Sequence, residues 1–283
     1  MKLSTPAGAV VLAGLLTTGC VVSVDSQAQI LREEKRFSVN GTPDVTLTTF
    51  DGPIEINAWD RREVVVDVEK RGATRQAVES IDVKTSQKGN RIEVEARRPR
   101  DESFTGIGLQ RSAHAKLIVS VPRDANLNAR TGDGSIRVDG VKGRLQLKTG
   151  DGSIRAAEVS GEVSLSTGDG SITVDRAEGR LDVDTGDGGV DVTGRFAAVK
   201  LHTGDGSIVY RAENGSVMTD DWEISTGDGS VALYLPSGFD ADLDAHTGDG
   251  SIRNDLAVET ADGGKIDRRT IRARLGAGGR LLR

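Results

Sequence analysis

A six-residue motif, Thr-Gly-Asp-Gly-Ser-Ile, recurs through the second half of the chain. Its first four residues begin at Thr131, Thr149, Thr167, Thr185, Thr203, Thr226 and Thr247. The first four steps are 18 residues each, and the last two are 23 and 21 residues. A fixed period over so many copies indicates a repeat architecture, in which each unit packs on its neighbours.

Each 18-residue unit divides into two nonapeptides. In the first unit these are TGDGSIRVD and GVKGRLQLK, and both have glycine at the fourth position and aliphatic residues at the sixth and eighth. Alternating apolar and polar residues have the period of a β-strand, and glycine-rich residues before them are typical of a turn. Each nonapeptide is therefore predicted to be a turn followed by a short strand.

Such strands can bury their apolar side chains only against a second layer. We therefore predict an all-β fold, a parallel two-sheet β-solenoid of 18-residue coils stacked about 4.8 Å apart. Two inward columns would be Ile136, Ile154, Ile172, Val190, Ile208 and Leu145, Val163, Leu181, Val199. Two more would be Val138, Ala156, Val174, Val192 and Leu147, Leu165, Val183, Leu201. The alternative is a set of antiparallel β-meander layers.

The residues of the motif itself are predicted to form a structural ladder of turns. Glycine adopts positive φ at little cost, which suits the tight reversals expected at Gly134, Gly152, Gly170, Gly188 and Gly206. The aspartates of the ladder are Asp133, Asp151, Asp169, Asp187, Asp205, Asp228 and Asp249. Each carboxylate is expected to accept hydrogen bonds from the N–H groups of its own turn.

The same aspartates are candidates for binding Ca²⁺, because carboxylates on glycine-rich turns offer the oxygen ligands that this cation prefers. The second nonapeptides carry Lys142, Ser160 and Glu178 where a partner aspartate would be needed. A cation shared between consecutive turns is therefore not encoded. We expect no metal site and no cofactor, with calcium kept as the alternative.

Residues 1–19 have the pattern of a secretory signal peptide, with Lys2 followed by an apolar run too short to cross a bilayer. The segment ending at Cys20 resembles the lipobox of bacterial lipoproteins, although Thr17 stands where leucine is preferred. The resemblance implies lipidation of Cys20 and, because Val21 is not aspartate, an outer-membrane location in a Gram-negative cell. Cys20 is the only cysteine, so no disulfide is expected.

The remaining chain is divided into a tether over residues 20–35, a β-rich N-terminal cap over 36–122, and the repeat solenoid over 123–283. Within the cap, residues 48–56 look like a degenerate rung, residues 73–80 have helical composition, and 99–107 form a loop. Trp59 is expected to plug the end of the core. Strands are also predicted at residues 251–253 and, as a closing pair, at 271–275 and 280–282.

No constellation of catalytic residues stands out. His202 and His246 occupy a repeat position that elsewhere holds Arg130, Lys148 or Asp184, which is typical of a solvated face. The serine after each second glycine recurs in most coils, as a structural residue would and a single activated nucleophile would not. Trp222 is interpreted as core rather than as a carbohydrate-stacking aromatic. The net charge of −6 argues against nucleic-acid binding.

Four features together resemble a known family: Cys20, the IEINAWD segment at residues 54–60, the TGDGSI repeats, and LGAGG at 275–279. They resemble the bacterial cell-envelope β-strand-repeat family called "putative adhesin", a domain of unknown function, over about residues 36–283. The resemblance implies no catalytic residues. It favours a non-enzymatic, lipid-anchored envelope protein, adhesin-like or a binding scaffold, with a membrane anchor and an envelope protein or glycan as partner. Small-molecule substrates are not expected. The alternatives are a calcium-binding β-roll and a polysaccharide-active β-solenoid enzyme.

Overall fold

The computed structural model describes residues 29–97, 113–260 and 264–283. The signal peptide, Cys20 and the loop predicted at 99–107 lie outside the described residues. The first eleven strands are β1 Gln29–Ser38, β2 Asp44–Thr49, β3 Ile54–Trp59, β4 Glu63–Gly72, β5 Asp82–Lys88, β6 Arg91–Arg97, β7 His114–Pro122, β8 Asn126–Thr131, β9 Ile136–Asp139, β10 Lys142–Thr149 and β11 Ile154–Ala157. The others are β12 Ser160–Thr167, β13 Ile172–Thr185, β14 Val190–Thr203, β15 Ile208–Ala212, β16 Trp222–Thr226, β17 Val231–Tyr234, β18 Ala241–His246, β19 Val258–Glu259, β20 Lys265–Ile266, β21 Thr270–Leu275 and β22 Leu281–Leu282. The helix α1 spans Arg75–Glu79.

The chain is a parallel β-solenoid with two ladders of strands. Ladder A runs in the order β6, β2, β8, β10, β12, β13, β14, β16. Ladder B runs in the order β7, β3, β9, β11, β13, β14, β15, β17. The long strands β13 and β14 pass through both ladders. The parallel pairing confirms the solenoid and excludes the antiparallel meander for the repeats.

The four predicted inward columns are confirmed by the register. Ile154 pairs with Ile136 and Ile172, and Val163 pairs with Leu145 and Leu181. Every side chain of the four columns is at most 3% exposed, and all belong to one core cluster. Burial of each aliphatic side chain contributes roughly 1.5–3 kcal/mol, so the columns are the main source of stability in the repeats.

The corner opposite the TGDG turn is made by a left-handed residue. Gly140, Glu158 and Arg176 follow one another at 18-residue intervals and have φ of 72°, 53° and 50°. The fourth coil is one residue shorter here, and the register shifts so that Phe196 lies opposite Gly179. A strict 18-residue spacing from Gly179 would place Ala197 there. The shift turns the ring of Phe196 into the core, where it is 1% exposed.

The predicted cap contributes two rungs as well as antiparallel cover. Residues 48–56 form a rung as predicted, since Thr49 pairs with Thr131 and Ile54 with Ile136. A second rung, made by β6 and β7, lies outside it. The strands β4 and β1 continue ladder B in antiparallel pairing, and β5 does the same for ladder A. The helix predicted at 73–80 is α1, which begins after its N-cap Thr74.

Two expectations for this end are wrong. Residues 29–35 form the start of β1 rather than a tether, because their charges pair with those of β4, as in Arg32 with Glu69. Trp59 does not plug the core: it is only half-buried at the end of β3, and its Nε1 donates to the Glu63 carbonyl at 2.9 Å. Valines of β4 and β7 occupy the core at this end instead.

The C-terminal end departs from the simple stack. Strand β22 lies between β16 and β18 and is parallel to both, and β18 then pairs antiparallel with β21. As predicted, residues 271–275 lie within a strand, β21, and residues 280–282 contain a strand, β22. These two strands do not pair with each other, contrary to the prediction. Residues 251–253 form no strand, because β22 displaces the seventh hexamer from the stack. Within the described ranges, no helix is both long and apolar enough to span a bilayer.

Candidate binding face

The TGDG corner is held by threonine hydroxyls. The Oγ1 of Thr149 donates to the carbonyls of Gly132 and Gly134, at 3.0 and 2.8 Å, in the preceding coil. The same pair of bonds recurs at Thr167, Thr185, Thr203 and Thr226. These side chains are buried or half-buried. The Gly132 carbonyl also accepts from the N–H of Gly150, whereas for the Gly134 carbonyl the hydroxyl is the donor that the corner supplies.

The second glycine of each hexamer is required by close approach rather than by its φ angle. A Cβ on Gly134, Gly152, Gly170, Gly188 or Gly206 would lie under 3.0 Å from the carbonyl oxygen of the equivalent glycine one coil earlier. Their φ lies outside the left-handed region, so the expectation of positive φ is wrong. The corner is flat and stacked, and any side chain would strike the backbone below it.

The seven aspartates of the motif are all exposed, six of them along this corner and Asp249 in the displaced seventh hexamer. In the part of the chain that the structure describes, none of their carboxylates has a recorded hydrogen bond or ion pair, so threonine and glycine hold the turn. Among those same residues no group of three or more His, Cys, Asp or Glu side chains is placed to hold a metal ion.

A shallow groove of about 430 Å³ lies on the outer face of ladder A. Its floor is one outward column, formed by Gln146, Ser164, Asp182 and Lys200. The flanking column contributes the ion pair of Arg144 with Glu162, whose atoms are 2.9 Å apart. Together these residues form a charged, non-aromatic surface.

One wall of the groove comes from the insertion between β15 and β16. The register shift in β14 leaves the Ala197 carbonyl free to accept from the N–H groups of Thr219 and Asp220, at 3.0 and 3.2 Å. Asp220 then pairs with Arg180 at 3.1 Å. A hydrogen bond from Arg180, and a second from the N–H of Asp221, lower the pKa of the Asp220 carboxyl. The wall is therefore anchored through both its backbone and a charge pair.

The other candidate residues do not gather into a site. His202 contacts Ser225 through Nδ1 at 3.0 Å, and His246 lies in a different pair of strands. Trp222 is 1% exposed and packs against Tyr210 and Phe239, with ring centroids 5.3 and 5.1 Å away, which confirms its core assignment. Groove residues could have been suggested by the outward columns, but the wall depends on an insertion whose path no repeat encodes.

Comparisons with known proteins place the chain in a family. The model of the Toastrack DUF4097 family matches residues 43–272. Comparison with curated proteins gives no match. A "putative cell adhesion protein" from Clostridium sporogenes is similar in structure, with 13% identity, a TM-score of 0.44, and 74% of this chain and 100% of that chain covered.

Two "putative adhesin" structures are also similar. The one from Bacteroides fragilis has 13% identity and a TM-score of 0.31, with 72% of this chain and 97% of that chain covered. The one from Parabacteroides distasonis has 15% identity and a TM-score of 0.31, with the same shares covered. Because the family model spans most of the sequence, this chain belongs to the Toastrack DUF4097 family.

Proposed function

We propose that this protein is a non-enzymatic, adhesin-like component of the bacterial cell envelope that binds its partner on the outer face of ladder A. The groove with its charged floor and anchored wall is the observation that carries the proposal. Its ion pairs are exposed, and exposed pairs contribute only about 0–1 kcal/mol each to stability. Charged groups of a bound partner can therefore replace them at a small cost in free energy. A protein or glycan surface with alternating charge is the partner that such a face fits.

The proposal includes a lipid anchor at Cys20. The lipobox-like residues before it and the absence of any other cysteine support the anchor. With a lipid at one end, a stack of eight rungs at about 4.8 Å each, counted from β6 to β16, would carry the groove away from the membrane surface. The proposed location is therefore the envelope, and the outer membrane in a Gram-negative cell.

A photo-crosslinking residue at Ser164, in the groove floor, tests the binding face in intact cells. Thr173, an outward residue of ladder B, is the matched control position. We expect a discrete crosslinked partner at Ser164 only, and its loss when Arg180→Glu and Lys200→Glu reverse the local charge. The same reversal at Arg137 and Arg155 on ladder B should leave crosslinking unchanged. Equal crosslinking from both faces, or hydrolysis of envelope polysaccharide by the purified protein, would contradict the proposal.

The anchor has a separate test. Metabolic labelling with a palmitate analogue should mark the wild-type protein and not Cys20→Ala. The variant should also move from the membrane fraction to the soluble fraction of the cell. Labelling that persists in Cys20→Ala would exclude this anchor without affecting the proposal for the groove.

A further inference from the structure

Among the described residues, the last strand of ladder B, β17, is an edge with no strand beyond it. At the other end of ladder B the charged strand β1 is the outermost strand, and β5 has the same position in ladder A. Ladder A continues past β16 through β22, β18 and β21. By contrast, β17 pairs only with β15 in the described chain, and its sequence is the apolar Val-Ala-Leu-Tyr.

The free backbone groups of this edge belong to Val231 and Leu233. The N–H of Ile208 donates to the carbonyl of Ser230 at 2.8 Å, so Ser230 and Ala232 point their backbone groups toward β15. The alternate residues therefore point theirs away from the ladder, and no other hydrogen bond to them is recorded among the described residues. Exposed, apolar edges of this kind are sites at which another strand adds.

The inward column is also left uncovered at this rung. Val231 pairs with Ile208 at the end of the isoleucine column, yet it is 45% exposed. The cause is β22, which enters ladder A after β16. It places β18 and the seventh hexamer about two rungs, or about 10 Å, beyond the sixth hexamer. A Cβ on Gly248 would accordingly meet no atom within 4 Å, whereas the earlier hexamer glycines meet the coil below. In the part of the chain that the structure describes, no strand therefore follows β17 in ladder B, where the seventh hexamer would otherwise supply one.

We propose that the edge of β17 binds an extended segment of a partner protein, which adds to ladder B as a further strand. A second copy of this chain would fit poorly at this edge. In each copy the strands β22, β18 and β21 extend ladder A beyond β17, so these strands would collide before the two β17 edges could pair. A single extended segment has no such obstacle. Its alternate side chains would be aliphatic, to continue the column that ends at Val231 and Leu233.

The residues that follow β17 indicate where the bound segment would continue. Tyr234 is 57% exposed, and its ring lies 5.5 Å from the guanidinium of Arg211. Beyond it, a depression of about 450 Å³ is lined by Leu235, Pro236 and Arg195, among others. The residue after the bound strand would enter this depression. The site is separate from the groove on ladder A, so the inference stands whether or not the proposed function does.

The probe is a synthetic peptide, Gly-Ser-Ile-Thr-Val-Asp-Arg, which copies the rung at residues 170–176. The control peptide has the same composition with isoleucine and valine adjacent, which breaks the alternation. Amide NMR of the folded protein would report binding. We expect saturable shifts at the amides of Val231 and Leu233 at peptide concentrations up to about 1 mM, with the control peptide at least about tenfold weaker.

The variant Val231→Pro removes one outward donor at the first residue of an edge strand, where proline is tolerated. It should weaken the peptide by about tenfold, whereas Val231→Thr, which keeps the N–H, should change affinity by less than about threefold. Trp222 fluorescence verifies that both variants are folded. No saturable binding of the alternating peptide, or equal affinity for wild type and Val231→Pro, would overturn the proposal.

Discussion

At the residue scale, threonine and the second glycine of each hexamer act together at the corner of every coil. The hydroxyl of Thr167 bonds the carbonyls of Gly150 and Gly152, at 3.1 and 2.9 Å. That geometry exists only because the backbone of the next coil comes so close. The sequence showed that these residues matter, but assigned the turn to aspartate and positive φ. The period of the sequence indicates only which face a side chain occupies, so it does not predict how closely the backbones of successive coils pack.

The hydroxyl can be removed with little change of shape. Thr167→Val keeps the volume of a buried side chain, but the Gly152 carbonyl loses its donor and the Gly170 N–H its acceptor. The Gly150 carbonyl still accepts from the N–H of Gly168. We expect a loss of about 1–3 kcal/mol in the free energy of unfolding, measured by denaturant titration with Trp222 fluorescence. Thr167→Ser, which retains the hydroxyl, should lose less than Thr167→Val. A valine variant as stable as wild type would show that the hydroxyl ladder contributes nothing.

Substitutions at two neighbouring glycines distinguish a requirement for close backbone approach from a requirement for backbone flexibility. Gly188→Ala would place a Cβ against the carbonyl of Gly170, and backbone cannot move aside in a stacked coil. We expect destabilisation by more than about 3 kcal/mol, in the range of severe core changes. Gly189→Ser, whose nearest neighbour would be 3.7 Å away, restores the residue of the other coils and should be within about 0.5 kcal/mol of wild type. Similar effects of the two substitutions on the melting curve would exclude this explanation.

At the element scale, paired charges as well as buried apolar side chains hold the outer strand β1 on β4. Glu69 of β4 is 4% exposed and lies between Arg32 and Arg71, and buried Lys70 pairs with Glu33 of β1. Burying a charge is costly unless it is paired, so the two strands need each other. The sequence could not predict this pairing because complementary charges were 37 residues apart. Residues 29–35 therefore resembled a tether.

The cover should loosen in acid. A hydrogen bond from Lys70 lowers the pKa of Glu33; for Glu69, burial raises the pKa, but the bonds from Arg71 and Arg32 outweigh it and the net pKa is lowered. A carboxyl whose folded pKa is depressed contributes stability above its unfolded pKa of 4.5, and this stability is lost as pH falls through the folded value.

Hydrogen exchange measures the effect, with rates corrected for the intrinsic dependence on pH. The amides of β1 should lose protection between about pH 5 and pH 3, while those of β12 stay protected. Glu69→Gln should expose β1 already at pH 6. Protection of β1 that does not change with pH would contradict a charge-held cover.

At the scale of the whole molecule, the middle of the stack was predictable and the ends were not. Columns such as Ile136, Ile154 and Ile172 follow from an 18-residue period, because each coil meets only the coil beside it. At both ends a strand enters out of chain order: β2 lies between β6 and β8, and β22 lies between β16 and β18. Such insertions are determined by tertiary packing. They satisfy edges that the repeat leaves open, and no local pattern encodes them.

The insertion of β22 predicts how the molecule comes apart. The N–H of Arg283 donates to the carbonyl of Trp222 at 2.9 Å, and the N–H of Ile224 donates to that of Arg283 at 2.8 Å. Deleting residues 277–283 removes these bonds and the buried Leu282. In a structure whose coils interact only with neighbours, the damage should stay local and spread inward from the C-terminal end. Trp222 emission should shift to the red at low denaturant, ahead of the main transition.

Trp59, at the opposite end, supplies the control. In a Trp222→Phe background its emission should follow only the main transition, and the deletion should leave that midpoint nearly unchanged because distant coils do not share contacts. If instead both tryptophans responded together at a lowered midpoint, the stack would unfold as one cooperative unit. The strand β22 would then stabilise all of the coils, rather than close the last of them.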